Sequence, residues 1–238
     1  MKRSLLPILL CLLTLHVSAQ QTRERIPGFL NPEDLPNAAR YLATPPKPDD
    51  EAFMNDRYYY SWGKEQRKTP QGVRAAIDEV QKTHEAFSPA AGFNISPENT
   101  PEIFRLVEGA RRDARTTNRK AKDYFQRTRP FVYFQEPSIN PETDEEYKTS
   151  YSFPSGHSVR GWIYALTLAL IVPDSTEALI ARAQEFAINR VICGRHWKSD
   201  IDASLVEATA IMSRLLTNAA FLEQLEKARK EYACLRKE

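Results

Sequence analysis

Three separated segments of the chain concentrate lysine, arginine, serine and histidine side chains. The first places Lys122 seven positions before Arg129, a spacing of two turns if the segment is helical. Two cations on one helix face can bind a single anion. A pair of basic residues on a solvated helix face has the same spacing, so this segment alone leaves both interpretations open.

The second segment, residues 153–158, reads Phe-Pro-Ser-Gly-His-Ser and leads directly into an apolar stretch. Gly156 allows the backbone to come close to a ligand, and the free N–H groups at a helix start bind anions. Ser155 adds a hydroxyl donor and His157 adds a titratable ring. The same short sequence is also compatible with an ordinary turn and helix cap.

The third segment contains Arg190, His196 and Asp200. Residues four apart are neighbours on a helix, so His196 and Asp200 are expected to touch. A carboxylate bound to one ring nitrogen fixes the tautomer and leaves the other nitrogen free to act as a nucleophile. Taken alone, the spacing is equally that of a surface ion pair one helical turn apart.

Together the three segments resemble the signature of the type 2 phosphatidic acid phosphatase superfamily. That signature has a lysine seven residues before Arg-Pro, then Pro-Ser-Gly-His, then an arginine followed after six residues by histidine and after four more by aspartate. The chain matches the signature at Lys122, Arg129, Pro130, Pro154, Ser155, Gly156, His157, Arg190, His196 and Asp200. Further stretches between about residues 41 and 231 resemble the soluble bacterial class A nonspecific acid phosphatases.

The resemblance implies a role for each matched residue. His196 would be the nucleophile that becomes phosphorylated, Asp200 its orienting partner and His157 the general acid. The groups that would bind the phosphate oxygens are Lys122, Arg129, Ser155, Gly156 and Arg190. Such preorganised donors stabilise the charge that develops in phosphoryl transfer. The resemblance therefore predicts an acid phosphatase of broad specificity for small-molecule phosphomonoesters, and it leaves a phosphotransferase activity open.

Three alternatives remain. A vanadium-dependent haloperoxidase is implied by the same resemblance, although those enzymes are generally larger. A lipid or diphosphate phosphatase of the superfamily shares the chemistry, but the lipid enzymes usually carry several membrane-spanning helices. A noncatalytic phosphate-binding module would not need a nucleophilic histidine. We expect no metal and no other cofactor, because no close spacing of cysteine and histidine offers the roughly four ligands of a structural zinc site.

Three details are left open by the sequence. Asn189 stands where the family usually has serine, so the contact made by that residue is in doubt. Arg195 directly precedes His196 at a variable position of the pattern, which is compatible with a solvent-facing side chain. Cys193 and Cys234 could form a disulfide in an exported protein, or each could remain a free thiol.

The first 19 residues have the pattern of a secretory signal peptide, with a basic start, an apolar core over residues 5–15 and small residues before Gln20. We therefore expect a periplasmic protein. Removing them takes away two of the 33 basic residues and none of the 31 acidic ones, so the mature net charge is near zero. A chain without a basic excess is not expected to bind nucleic acid or an anionic membrane.

No other apolar run approaches the roughly 20 residues that span a bilayer, since the longest covers residues 162–172. We expect no membrane partner, and the family resemblance implies a homo-oligomer. Six prolines over residues 27–48 exclude regular helix there and predict an extended arm. The expected organisation is a signal peptide at 1–19, a proline-rich arm at 20–48 and one helical acid phosphatase domain at 49–238.

The fold is predicted to be all-α, a single-domain helical bundle of the acid phosphatase/vanadium-dependent haloperoxidase type. Thr-Pro pairs at residues 69–70 and 100–101 are helix starts, and the second of these helices is expected to break near residues 116–118. Residues 129–154 contain four prolines and are expected to form a long loop. Four further helices are predicted between His157 and Arg236.

Overall fold

The computed structural model describes residues 26–237. The predicted signal peptide and the first part of the arm lie outside the described residues. Within residues 26–237 the chain is helical and contains no β-strand, which confirms the all-α prediction. The α-helices, in chain order, are α1 Phe53–Gln66, α2 Pro70–Val80, α3 Thr83–Ala91, α4 Pro101–Phe125, α5 Pro130–Phe134, α6 Asp144–Lys148, α7 Gly156–Ala169, α8 Thr176–Ile192, α9 Lys198–Leu215 and α10 Ala219–Leu235.

The core of the bundle surrounds α7, which contacts α3, α4, α8 and α9. Its apolar side chains, among them Ile163 and Leu168, are fully buried, and burial of such a side chain contributes roughly 1.5–3 kcal/mol. Gly161 lies so close to the Phe186 ring on α8 that an added Cβ would be 2.8 Å from it. This close contact fixes the start of α7 against α8, and the start of α7 carries the predicted site residues.

The described part of the arm forms no α-helix before α1; it contains one short 3₁₀ turn, Ala38–Arg40. The arm nevertheless packs on the bundle. The backbone N–H of Phe29 donates to the Asp113 carboxylate of α4 at 2.8 Å, and the Phe29 ring meets the Phe221 ring of α10 edge-on at 5.4 Å. The arm therefore joins α4 to α10.

Helix α4 runs without interruption from Pro101 to Phe125, so the predicted break near residues 116–118 is wrong. Asn118 does not compete with its own backbone, because its amide donates instead to Glu207 and to the Pro154 carbonyl. The helix stops at Gln126, which has a left-handed φ of 49°. Arg129 therefore lies beyond α4, and the prediction that it shares a helix face with Lys122 is also wrong.

The segment predicted as one long loop, residues 129–154, contains the two short helices α5 and α6. Pro130 occupies the first position of α5, where its missing N–H costs nothing. Acidic residues occupy the first turn of α6, where they interact favourably with the helix dipole. Helix α3 was also absent from the prediction, and it contains Pro89 in its last turn.

Helix α2 begins where the Thr-Pro signal predicts, and the Thr69 hydroxyl accepts from the backbone N–H of Gln71. Its large apolar residues do not face the core, although Ala75 is fully buried. Val73, Ile77 and Val80 are 63%, 45% and 74% exposed. Within residues 26–237 no helix alone is long and apolar enough to cross a bilayer; α9 and α10 meet that requirement only as a pair bent by 93°.

Candidate active site

The end of α4, the start of α7 and the connection from α8 to α9 converge on one cleft of about 460 Å³. Five of the predicted site residues line it: Lys122, Arg129, Gly156, His157 and His196. The remaining three, Ser155, Arg190 and Asp200, are completely buried behind this lining. The sequence therefore identified the cleft, and the structure divides its residues into a layer that faces the cleft and a layer behind it.

His196 is bound at both of its ring nitrogens. Its Nδ1 lies 3.2 Å from Oδ2 of Asp200, and its Nε2 lies 3.1 Å from Nη1 of Arg129. An Nδ1–H that donates to the carboxylate leaves Nε2 with the lone pair, which accepts from Arg129. The predicted contact with Asp200 is present, but it spans the start of α9, where the backbone N–H of Trp197 donates to the same oxygen at 2.9 Å.

The second oxygen of Asp200 accepts from Arg127 at 2.7 Å. The other terminal nitrogen of Arg127 donates to Asp56 of α1 at 2.6 Å, and Asp56 also accepts from the backbone N–H of Ser199 at 2.8 Å. These residues were missed in the sequence. Arg127 lies two positions from the motif residue Arg129, whereas nothing near Asp56 indicates that it contacts the site.

Lys122 and Arg129 hold positive charge against the cleft without a carboxylate partner in residues 26–237. Lys122 donates to the carbonyl of Ser152 at 3.1 Å, and Arg129 donates to the carbonyls of Ser150 and Arg195 at 3.0 Å. Burial, followed by repulsion from Arg129, lowers the pKa of Lys122 well below its usual range. Burial and repulsion from Arg190 lower the pKa of Arg129 to about 10. An anion in the cleft would relieve this repulsion.

Arg190 does not line the cleft. Its guanidinium is fully buried and donates to Glu79 of α2 at 3.4 Å, while its Nε has no partner among residues 26–237. Ser155 likewise points away from the cleft. Its side-chain oxygen accepts from the hydroxyl of Ser158 at 2.9 Å and caps the start of α7.

Both histidines have pKa values well below the usual value of about 6.5. Burial is the largest cause in each case. For His157 the next causes are the charges of Arg160 and Arg190, and for His196 they are Arg129 and Lys122. The surrounding cations therefore favour two neutral rings. A phosphoryl dianion contributes the opposite charge and raises both pKa values.

Arg195 does not face solvent, so that interpretation of its position is wrong. Its side chain is fully buried and donates to Glu79 at 2.7 Å and to Asp144 of α6 at 2.6 Å. Its guanidinium also lies 4.3 Å from the ring centre of Tyr147. Arg195 thereby fixes α6, and with it one wall of the cleft, against α2.

Asn189 is also buried, and it does not line the cleft. Its amide nitrogen donates to Asp78 at 2.7 Å, and its oxygen accepts from Gln71 at 2.6 Å, so the residue joins α8 to α2. Cys193 is a buried free thiol and Cys234 an exposed one, which answers the disulfide question left open by the sequence. Among residues 26–237 no three histidine, cysteine or acidic side chains are grouped so that they could hold a metal ion.

The fold and the site define an all-helical protein in which two histidines and several cations surround one cleft. The model of the PAP2 superfamily matches residues 114–221. The chain is 35% identical to the non-specific acid phosphatase of Salmonella typhimurium over 223 residues. This alignment covers 92% of this chain and 89% of the relative. It is 36% identical to the non-specific acid phosphatase of Providencia stuartii over 200 residues, and this alignment covers 82% of this chain and 81% of the relative.

A third relative, the acid phosphatase of Zymomonas mobilis, is 30% identical over 194 residues, which cover 80% of this chain and 74% of the relative. The chain therefore belongs to the PAP2 superfamily, as one of its non-specific acid phosphatases. It is a phosphoric monoester hydrolase.

Proposed function

We propose that the enzyme hydrolyses phosphomonoesters through a phosphohistidine formed on His196. The observation that carries this proposal is the position of the His196 ring in the cleft, between the Asp200 carboxylate at Nδ1 and the Arg129 guanidinium at Nε2. A ring oriented in this way directs the lone pair of Nε2 at the anion-binding space. Lys122 and Arg129, two of the cations that line the cleft, supply the charge that phosphoryl transfer requires.

In the first step the phosphoryl group enters the cleft and its oxygens bind Lys122 and Arg129. The N–H group of Arg129 moves from Nε2 to a phosphoryl oxygen, which frees the lone pair. Nε2 of His196 then forms a bond to phosphorus, while the bond from phosphorus to the ester oxygen breaks. His157 donates its proton to that oxygen, and the alcohol leaves.

In the second step a water molecule attacks the phosphorus of the phosphohistidine. Neutral His157 takes a proton from this water, the bond between phosphorus and nitrogen breaks, and inorganic phosphate leaves. An alcohol in place of water gives a new phosphate ester by the same route. We therefore include phosphotransferase activity in the proposal.

The electrostatics of the cleft support activity on the acidic side of neutrality. The first step requires protonated His157, yet its burial and, after that, the charges of Arg160 and Arg190 hold its pKa low. Protonation must therefore accompany binding of the phosphoryl dianion, which raises the pKa. Because proton uptake at His157 becomes harder as pH rises, we expect the rate of phosphorylation to fall from acidic to alkaline pH.

Partitioning of the phosphoenzyme between water and an alcohol tests the proposal. Two substrates with different leaving groups, such as phenyl phosphate and 4-nitrophenyl phosphate, are hydrolysed in the presence of glycerol. Both must pass through the same phosphohistidine, so the ratio of glycerol phosphate to inorganic phosphate should be identical for the two. A ratio that depends on the leaving group would show that no common intermediate forms.

We further propose that the enzyme is exported to the periplasm. The support is the signal-peptide pattern of residues 1–19, with small residues before Gln20. Terminal sequencing of the protein from a periplasmic extract is expected to begin at Gln20. Recovery of the chain only from the cytoplasm, with Met1 intact, would disprove export.

Self-association is the last element of the proposal, and it comes from the family resemblance. The exposed apolar side chains of α2, namely Val73, Ile77 and Val80, support it because large apolar groups on a surface favour association. Sedimentation equilibrium of the purified enzyme should give a mass above that of one chain. A single-chain mass at micromolar concentration would rule self-association out.

A further inference from the structure

A second cavity lies beside the active-site cleft and shares two of its residues. It has a volume of about 440 Å³, and both His157 and Tyr147 line it as well as the cleft. The other charged residues around it are three cations and two carboxylates: Lys82, Arg111, Arg160, Glu79 and Glu108. None of these five contacts the substrate or transfers a proton in the mechanism above.

Both carboxylates of this cavity are already paired. Glu79 accepts from Arg195 at 2.7 Å and from Arg190 at 3.4 Å. Glu108 accepts from Arg111 at 2.9 Å and from the hydroxyl of Tyr164. Neither carboxylate contacts the third basic group of the cavity, Arg160.

Arg160 makes no hydrogen bond and no ion pair with any residue from 26 to 237, although its side chain is partly buried. It is the only lysine or arginine of α7, the central helix of the bundle. Burial and repulsion from Arg111 and Arg190 lower its pKa to about 10. A partly buried cation without a counter-charge costs free energy, and a bound anion would remove that cost.

The position of His157 indicates which part of a substrate reaches this cavity. A general acid must contact the leaving-group oxygen, and His157 lies between the cleft that holds the phosphoryl group and the cavity that holds Arg160. A leaving group that extends beyond His157 therefore enters the cavity. An arginine with a free planar fork of donors matches phosphate geometry.

We propose that this cavity binds a second phosphate group, carried by the leaving group, and that the enzyme therefore prefers bisphosphorylated substrates over the corresponding monophosphates. The inference rests on the proposed function, because it needs the phosphoryl group at His196 and the leaving group at His157. Two cations would bind the second phosphate, Arg160 and Arg111. Arg111 would do so while it remains paired with Glu108.

The test compares 1,4-butanediol bisphosphate with 1,4-butanediol monophosphate, using the full-length enzyme and measuring kcat/KM from released phosphate. The wild type should prefer the bisphosphate. Arg160→Met should lower the ratio of the two kcat/KM values by about tenfold or more, which is the effect of losing one charge-assisted contact. Because a ratio is measured, any general change in activity cancels.

Two further variants complete the experiment. Arg160→Lys keeps the charge and should retain most of the preference. Arg112→Met removes a cation that neighbours Arg111 on α4 but lines neither the cleft nor the second cavity, so it should leave the ratio and the basal activity unchanged. Thermal unfolding is measured on all variants. The fold should persist in Arg160→Met, because the change removes repulsion and breaks no ion pair.

An unchanged ratio in both Arg160 variants would overturn the second phosphate site while leaving the proposed function intact, since both substrates would still be hydrolysed. An equal loss of the preference in Arg112→Met would also overturn it, because the preference would then reflect the general basic surface of α4. Failure of the wild type to hydrolyse either ester would overturn the proposed function and, with it, the inference.

Discussion

At the residue scale, the reactivity of His196 depends on two side chains that contact its ring and on a third that contacts one of these two. Asp200 fixes the ring through Nδ1, Arg127 supplies the counter-charge for that carboxylate, and Arg129 contacts Nε2. The carboxylate is completely buried, so its geometry is set by these partners rather than by water. A neutral amide at position 200 would keep the shape of the site but lose the charge that stabilises a phosphorylated ring.

Our first prediction at this scale concerns His157→Ala. An alkoxide cannot leave without a proton, whereas 4-nitrophenolate leaves as a stable anion. Phosphorylation of the enzyme by an alkyl phosphate should therefore slow by about 10²- to 10⁴-fold, and phosphorylation by 4-nitrophenyl phosphate should slow much less. Stopped-flow measurement of the nitrophenol burst isolates this step from dephosphorylation, which His157 also assists. Equal slowing with both esters would show that His157 does not donate the proton.

Some of the residues that build the site could not be found from the sequence. The motif identified five residues that line the cleft, and Arg115, Asn118, Arg119 and Tyr147, which also line it, lie outside the motif. It gave no indication that Arg195 is buried, since its partners Glu79 and Asp144 lie 116 and 51 positions away. A buried ion pair is specified by two distant positions, and one sequence contains no signal that joins them.

At the element scale, the large apolar side chains of α2 recur at helical spacing, yet they face solvent and not the core. Its buried positions include Asp78 and Glu79. These carboxylates are turned inward because each accepts from an arginine: Asp78 from the partly buried Arg182 and Glu79 from the fully buried Arg195. Leaving such charges unpaired would cost more than exposing three aliphatic side chains. Electrostatic pairing therefore sets the orientation of this helix.

Helix α9 carries the second prediction, at Glu207. One oxygen of this fully buried carboxylate accepts from Asn118 at 2.8 Å, and the other has no partner among residues 26–237. Burial raises its pKa to about 7. The folded protein therefore holds this proton more tightly than the unfolded chain, whose glutamate titrates near pH 4.3. Stability from this group is present below about pH 4 and is lost as pH rises towards 7.

Glu207→Gln should remove that loss, because the amide carries no charge at any pH. At pH 8 the variant should exceed the wild type in free energy of unfolding by roughly 3 kcal/mol, and below about pH 4 the two should be equal. Urea unfolding at both pH values measures the difference. The exposed Glu177→Gln is the control, expected within about 0.5 kcal/mol of wild type throughout. A stabilisation by Glu207→Gln that is the same at both pH values would contradict the raised pKa.

At the scale of the whole molecule, the long helices were predictable and the short ones were not. Helices α2, α4 and α7 to α10 follow from proline-based start signals, caps and apolar spacing. Helices α5 and α6 have five residues each, which is too short for a periodic pattern, and α3 contains a proline near its end. Their stability comes from tertiary contacts such as those of Arg195, and a local pattern does not contain these.

The charge of the whole molecule is nearly balanced, yet it is unevenly placed. The chain has 33 basic and 31 acidic residues, and the lining of the cleft includes the cations Arg115, Arg119, Lys122 and Arg129 together with Asp123. A local excess of cations in a cleft focuses the electric field and attracts small anions.

Rapid-quench labelling shows directly whether His196 carries the phosphoryl group during turnover. The enzyme is mixed with a ³²P-labelled aryl phosphate, quenched in alkali within the first turnover, digested and mapped. We predict one labelled peptide containing His196, with a bond that is stable in alkali and labile in acid, and no label in His196→Ala. Label on a serine, or turnover by His196→Ala at the wild-type rate, would contradict the account.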